Sequence, residues 1–206
     1  FFEAKPDGFK RISASPIAYW VSEKVKDVFD ASESLINKFN TRLGMSTANN
    51  DYFLKCWSEI NFMNIGFGCQ SREIALASQK KWFPYAKGGT FRKWNGNKDL
   101  VVNWANDGFE IRNFGASEGN IRSHNYNLDY IFKEGVTWSD VTSATNAFRL
   151  LEKGFLFDGR GSSGFSDPHF TKIFLALLNS KVSYDCIKMI NPTIAINVGE
   201  IGKIPL

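Results

Sequence analysis

Lys80-Lys81-Trp82-Phe83-Pro84-Tyr85-Ala86-Lys87-Gly88-Gly89-Thr90-Phe91-Arg92-Lys93-Trp94-Asn95-Gly96-Asn97-Lys98 reads as a long basic loop. It holds six cations and no acid. The chain of 206 residues carries 25 Lys+Arg against 21 Asp+Glu, so removing these six leaves 19 against 21. The basic character therefore sits in one segment. Five rings are interleaved with the charges: Trp82, Phe83, Tyr85, Phe91 and Trp94. Gly88-Gly89 and Gly96 can bring bare backbone N–H groups close to an anion. Cations beside π-faces and exposed amides suit a nucleic-acid backbone. The same pattern also describes a solvated loop whose aromatics turn into the core, and local pattern alone leaves both readings open.

Outward from this stretch, the length fits a single domain, residues 1–206, with a real core. Hydrophobic residues at 43% and charged residues at 22% are ordinary for a globular chain, which excludes a disordered tail. The 19 Phe and 6 Trp favour strands over a purely helical bundle. A pI near 8.9 permits an anionic partner without demanding one. Cys56, Cys69 and Cys186 are widely spaced, no Cys-x-x-Cys occurs and there are two His, so no metal site is expected. The odd cysteine count suggests a reducing cytoplasm. The longest strongly apolar run, Ile173 to Leu178, is far too short for a bilayer, so no membrane partner is expected. The opening Phe1-Phe2-Glu3, without Met or signal peptide, suggests a piece of a longer protein.

Along the chain, Ser15-Pro16 predicts a helix start, with Ile17, Trp20, Val21, Val25, Val28 and Phe29 recurring at helical spacing and Trp20 either in the core or an anchor onto a neighbouring domain. Leu35 to Leu43 reads as a strand running into Gly44, and 45–51 as a polar loop. One more strand is expected between Tyr52 and Ile65. Ser71 predicts the N-cap of a helix reaching Lys80. Behind the basic segment, Leu100 to Trp104 reads as a strand. A short helix is expected over Gly108 to Asn113 and a helical turn over Leu128 to Lys133. Val136–Val141, Ala147–Leu151 and Phe155–Asp158 read as strands. Asp167-Pro168 opens a helix, Asn179-Ser180 breaks it and caps a second, Pro192 ends that one, and Ile194 to Val198 returns as a strand.

Two motifs invite a catalytic reading. Gly159-Arg160-Gly161-Ser162-Ser163-Gly164 matches G-x-G-x-x-G, but Asp167-Pro168 delays the helix that a dinucleotide site requires. A tight turn presenting Arg160, Ser162 and Ser163 to phosphates or base edges fits better; a simple hairpin turn is the plain alternative. Asp167-Pro168-His169-Phe170 resembles the Asp/Asn-Pro-Pro-aromatic loop of amino-directed methyltransferases, with His for the second Pro; helix capping explains Asp-Pro equally well. No nucleophile, base and orienter set is visible, so no catalytic residue is assigned.

Several stretches together carry a family resemblance. They are Ser15-Pro16-Ile17-Ala18-Tyr19-Trp20-Val21-Ser22, Lys81-Trp82-Phe83-Pro84-Tyr85, Lys87-Gly88-Gly89-Thr90-Phe91-Arg92-Lys93-Trp94 and Val102-Asn103-Trp104-Ala105-Asn106-Asp107-Gly108. Gly135-Val136-Thr137-Trp138-Ser139, Lys153-Gly154-Phe155-Leu156-Phe157-Asp158 and the ending from Asn191-Pro192-Thr193 to Gly199-Glu200-Ile201 extend it over nearly the whole chain. In order, they resemble the C-terminal half of BREX-type (PglX-like) and fused restriction–modification adenine-specific DNA methyltransferases. The resemblance implies a target-recognition domain. The catalytic domain, with its S-adenosylmethionine glycines and Asn-Pro-Pro-Tyr loop, would lie N-terminal to Phe1, leaving this chain without a cofactor of its own. Two departures stand out. The family's Thr-Gly turn has Ala48 after Thr47, and the Tyr often found after the Lys-Trp pair is Asn95.

The resulting expectation is an α+β fold, a short twisted mixed sheet flanked by helices, as in methyltransferase specificity domains. The expected function is sequence-specific recognition of double-stranded DNA for adenine-N6 methylation in a phage-defence or restriction–modification system. Lys87, Arg92, Lys93 and Lys98 are the candidate phosphate contacts; Asn95, Asn97 and Arg160 the candidate base-edge readers. Gly88, Gly89, Trp94, Ser162 and Ser163 complete the candidate surface. Expected partners are duplex DNA, the methyltransferase domain of the parent chain and other defence-system proteins. The alternatives are a catalytic methyltransferase or nuclease fragment, and a protein-interaction module.

Overall fold

The computed structural model describes residues 10–12, 16–142 and 145–206. Within them the fold is α+β, as the sequence predicts. In chain order the strands are β1 (Asn40–Arg42), β2 (Leu54–Cys56), β3 (Trp82–Ala86), β4 (Leu100–Asn103), β5 (Gly135–Trp138), β6 (Phe148–Leu151), β7 (Leu156–Phe157) and β8 (Ser163–Phe165). The helices are α1 (Glu23–Ala31), α2 (Asn50–Phe53), α3 (Arg72–Ala77), α4 (Ala105–Arg112), α5 (Thr171–Leu178), α6 (Lys181–Ile190) and α7 (Val198–Ile201).

The strands form two four-stranded sheets. One has the order β1-β8-β5-β6 and is antiparallel throughout. The other has the order β2-β4-β3-β7 and is mixed, because β3 and β7 run parallel. The chain leaves the first sheet after β6, adds β7 to the second, and returns through β8. The turn between β7 and β8 therefore lies where the sheets meet.

The first half of the basic segment is a strand. Phe83, Pro84, Tyr85 and Ala86 are all buried, flanked by Lys80, Lys81 and Lys87. Proline is disfavoured within a sheet because it has no N–H to donate. Here β7 pairs only with Tyr85 and Ala86, so no second ladder faces Pro84. The lysines and the proline suggest a loop, yet the aromatic residues between them are what the core takes.

Other expectations shift. Pro16 to Val21 form two short turns, with Ala18 N–H bonded to Pro16 O and Val21 N–H to Ala18 O, and α1 starts only at Glu23. Ala18 and Val21 turn inward, whereas Ile17 and Trp20 are exposed, so Trp20 is not core. Ser15 lies outside the described residues. Leu35–Asn37 is a 3-10 turn before β1. Residues 194–198 make one bridge, Val141 with Ala195, before α7, in place of the expected strand. β8 lies where the sequence suggests a turn tip.

One group of buried side chains packs α5 and α6 on the first sheet through Phe174, Leu175, Leu178, Ile187 and Ile190 against Val136, Trp138 and Phe148. The other surrounds β3 and β4 with Phe53, Phe83, Tyr85, Val102, Trp104, Phe132 and Phe157. The helix positions follow their caps. Ser71 Oγ accepts from Ile74 N–H at the start of α3, and Ser180 Oγ from Ser183 N–H at the start of α6, as predicted.

Candidate functional site

Because β3 and β7 are parallel neighbours, their C-terminal ends emerge side by side at Ala86 and Phe157. Loops after parallel strands commonly form ligand crevices. The segment Lys87-Gly88-Gly89 thus meets the turn Asp158-Gly159-Arg160-Gly161. Asp158 N–H bonds Ala86 O at 2.9 Å. The approach demands glycine on both sides: a Cβ on Gly88 would sit 2.7 Å from Arg160 O, and one on Gly161 would sit 2.6 Å from Gly88 N. Two candidate stretches far apart in sequence therefore share one edge.

Ser139, just after β5, closes the third side. Its Oγ accepts from Gly89 N–H at 3.0 Å and lies 3.1 Å from Gly89 O. Lys87, Gly88, Gly89, Ser139, Val141 and Arg160 line an open cleft of about 310 Å³ that has no acidic side chain in its wall. A second cleft of about 480 Å³ adjoins it, also lined by Lys87 and Arg160 but containing Asp140 and Asp158. Asp158 is fixed: Tyr85 Oη donates to its Oδ2 at 2.7 Å and Arg160 N–H to its Oδ1 at 2.7 Å. Burial, with Asp158 alongside, holds the Tyr85 phenol well above its usual pKa. Asp140 is buried with an unpartnered Oδ1, and burial pushes its carboxyl upward against the pull of Ser162 and Arg160.

The remaining candidates separate. After β3 the chain crosses to the other sheet, where Trp94 bridges Arg149 on the free edge of β6. Trp94 N–H bonds Phe148 O, and Leu150 N–H bonds Trp94 O. The Trp94 ring stays half exposed. Among the described residues, Lys87, Arg92 and Arg160 make no ion pair. Lys93 Nζ instead donates to Asn179 O, the C-cap of α5, at 3.2 Å, and Lys98 Nζ pairs with Glu152 at 2.6 Å. Asn97 Nδ2 is held by Thr90 O, while the Asn95 side chain is exposed.

Ser162 and Ser163 are fully buried, and their hydroxyls donate to Gly159 O and Gly161 O. Ser162 precedes β8 and Ser163 opens it, between β1 and β5, so neither presents its hydroxyl to a ligand. The glycine run lacks the geometry of a dinucleotide loop: it closes against Gly88, and the next helix starts only at Thr171. Asp167 Oδ1 accepts from His169 N–H in an exposed turn; α5 starts only at Thr171, with Phe170 at its N-cap and no side-chain cap, so Asp167-Pro168 forms a turn and does not open the helix. Among the described residues, no group of three His, Cys, Asp or Glu could hold a metal ion, and no helix is long and apolar enough to cross a membrane. Sequence reasoning missed Arg149, hidden in an apolar strand pattern, and the pair Asp140 and Asp158.

No family model matches the chain. It is 41% identical over 208 residues to the adenine-specific methyltransferase PglX of Lacticaseibacillus casei (strain Zhang), an alignment covering 100% of this chain and 17% of that protein. It is 35% identical over 210 residues to the adenine-specific methyltransferase BrxX of Escherichia coli O9:H4 (strain HS), covering 96% of this chain and 15% of that protein. The chain thus spans less than a fifth of the length of these relatives.

Proposed function

The chain is a homologue of a segment of PglX- and BrxX-type adenine-specific methyltransferases, and from that premise we propose that it recognises duplex DNA for a methyltransferase domain of the same parent chain. In this reading the module holds the duplex so that an adenine reaches the partner domain for N6 methylation. S-adenosylmethionine belongs to that domain, where it supplies the methyl group.

The observation that supports the proposal is the meeting of Lys87, Gly88, Gly89 and Arg160 at one edge, where neither Lys87 nor Arg160 forms an ion pair among the described residues. A phosphate backbone rewards such cations by releasing its counterions. Arg92, exposed on the stretch that crosses to β6, is a further cation without an ion pair among the described residues. Asn95, exposed beside the half-exposed Trp94 ring, is the better placed of the two asparagines for a base edge, since Asn97 serves its own loop.

The test is duplex binding by the full-length protein against salt. Replacing Lys87, Arg92 and Arg160 together with Ala should lower the slope of log affinity against log salt by roughly three units, on specific and random duplexes alike. Asn95→Ala should cost about 1–3 kcal/mol on the cognate site and little on random DNA. An unchanged slope in a folded triple variant would return the segment to a solvated loop over aromatic core.

A second reading, docking of another defence-system protein, has its own support. Trp57, Phe62, Met63 and Phe67 are exposed, and the Phe62 and Phe67 rings lie 5.1 Å apart. Binding through them would be largely insensitive to salt, which separates it from DNA contact.

A further inference from the structure

Arg149 is 1% exposed, and among the described residues no carboxylate pairs with it. Among the described residues its guanidinium reaches neutral oxygens at long range: Arg92 O at 3.4 Å, Ala147 O at 3.3 Å and Ser139 Oγ at 3.3 Å. Its Nε has no partner. Burial lowers its pKa to about 10, which leaves it charged at neutral pH. A buried cation without a counter-ion is costly to a fold. Such a group makes sense where an anion arrives from outside.

The route for that anion is visible. Arg149 Nη2 donates to Ser139 Oγ, which also accepts from Gly89 N–H and lines the acid-free cleft. We propose that the cleft lined by Lys87, Gly88, Gly89, Ser139 and Arg160 seats a phosphate oxyanion, with Arg149 as the buried positioning residue that charges it through Ser139. Lys87 and Arg160 supply direct charge from the rim. Ser139 supplies a hydroxyl whose proton is free to turn from Gly89 O to the anion. Arg149 and Gly89 N–H together hold that hydroxyl by occupying its two lone pairs, and the field of the buried guanidinium is screened less than at the surface. The absence of acid from this wall, against two in the adjoining cleft, sets the sign of the ligand. The identity of the anion as a backbone phosphodiester rests on the DNA reading above; a free phosphate would satisfy the same groups.

The experiment uses the full-length protein with Arg149→Met, Arg149→Lys and Ser139→Ala. Melting temperature is measured in chloride and in inorganic phosphate at matched ionic strength, and duplex affinity is measured against salt. Wild type should melt higher in phosphate. Arg149→Met should hold or raise the melting temperature in chloride, because it removes an unpaired buried charge. It should lose the phosphate-dependent rise, bind duplex about tenfold or more weakly, and lower the salt slope by about one unit. Arg149→Lys should keep part of both responses.

The inference is overturned if Arg149→Met destabilises equally in both salts and leaves duplex binding and slope unchanged, since that is an ordinary structural arginine. Should the Met variant fail to fold, Ser139→Ala decides by the same two readouts: loss of the phosphate rise supports the seat, and no change overturns it. Duplex binding that survives every variant overturns the seat but not the DNA reading. A phosphate response in a wild-type protein that ignores duplex keeps the seat, assigns it to free phosphate and overturns the DNA reading.

Discussion

Asp140 lines the larger cleft, one of its oxygens is buried without a partner among the described residues, and burial raises its pKa. The charged form is therefore the less stable one in the folded chain. A raised carboxyl gains protons on folding, so its penalty is present at neutral pH and fades as pH falls through the folded value. Asp140→Asn should accordingly be neutral or stabilising at pH 7, by up to about 1–3 kcal/mol. The difference from wild type should close as the pH is lowered, in denaturant titrations across the acid range. Ala48 is a second single-residue case. Its φ of 60° lies in the left-handed region, where a Cβ costs roughly 1–2 kcal/mol. The family resemblance puts Gly there, and the backbone shows why. Ala48→Gly should raise stability by a few tenths of a kcal/mol up to about 1 once the greater freedom of the unfolded glycine is subtracted. A lower melting temperature for that variant would mean that the turn is not strained.

At the scale of elements, α3 and α4 show how two ion pairs to one carboxylate fix a strained turn. Asn106, Asp107 and Gly108 are all left-handed, with φ of 51°, 56° and 70°. Gly108 has no alternative, because a Cβ would lie 2.5 Å from the Trp104 ring. Asp107 accepts from Arg72 on α3 through both oxygens, and Arg112 Nη1 lies 3.1 Å from its Oδ2. The hydrogen bond from Arg72 chiefly holds the Asp107 carboxyl below its usual pKa. Its stabilisation is thus present above the unfolded carboxylate value near 4 and is lost as pH falls through the depressed folded one. Asp107→Asn should cost about 1–3 kcal/mol near pH 7 and progressively less in acid, a trend that chemical denaturation at several pH values would read directly. The caps were legible here: Ser71 and Ser180 announce α3 and α6 and perform as caps. The helix expected from residue 16 was not, because apolar spacing does not reveal which of Ile17, Ala18 and Trp20 turns inward. β3 was misread because Pro84 and the flanking lysines signal a loop, whereas burial of Phe83 and Tyr85 is decided by distant partners, Leu100, Val102 and Leu156.

At the scale of the whole molecule, the basic segment belongs to both sheets, as β3 in one and as an edge bridge to β6 in the other. That placement divides its charges, which no count along the chain could foresee. Lys87 and Arg160 face one cleft because parallel β3 and β7 end together, while Lys93 and Lys98 are drawn into holding the segment down. Lys93 sits at the C-terminal end of α5, where helix carbonyls and the macrodipole favour a cation. Lys98 pairs with Glu152, which is half exposed, so the pair contributes little, roughly 0–1 kcal/mol. A sequence reading treats all four candidate phosphate contacts, Lys87, Arg92, Lys93 and Lys98, as equivalent; the fold does not. Replacing Lys93 and Lys98 together with Ala should lower stability by roughly 1 kcal/mol and change the salt slope of duplex binding by less than one unit, against the roughly three expected for Lys87, Arg92 and Arg160. Equal slopes from the two sets would mean that DNA pulls Lys93 and Lys98 from their internal partners and that the surface rearranges on binding. A large difference would mean that the fold has already sorted its cations into those that hold the segment and those that meet the ligand.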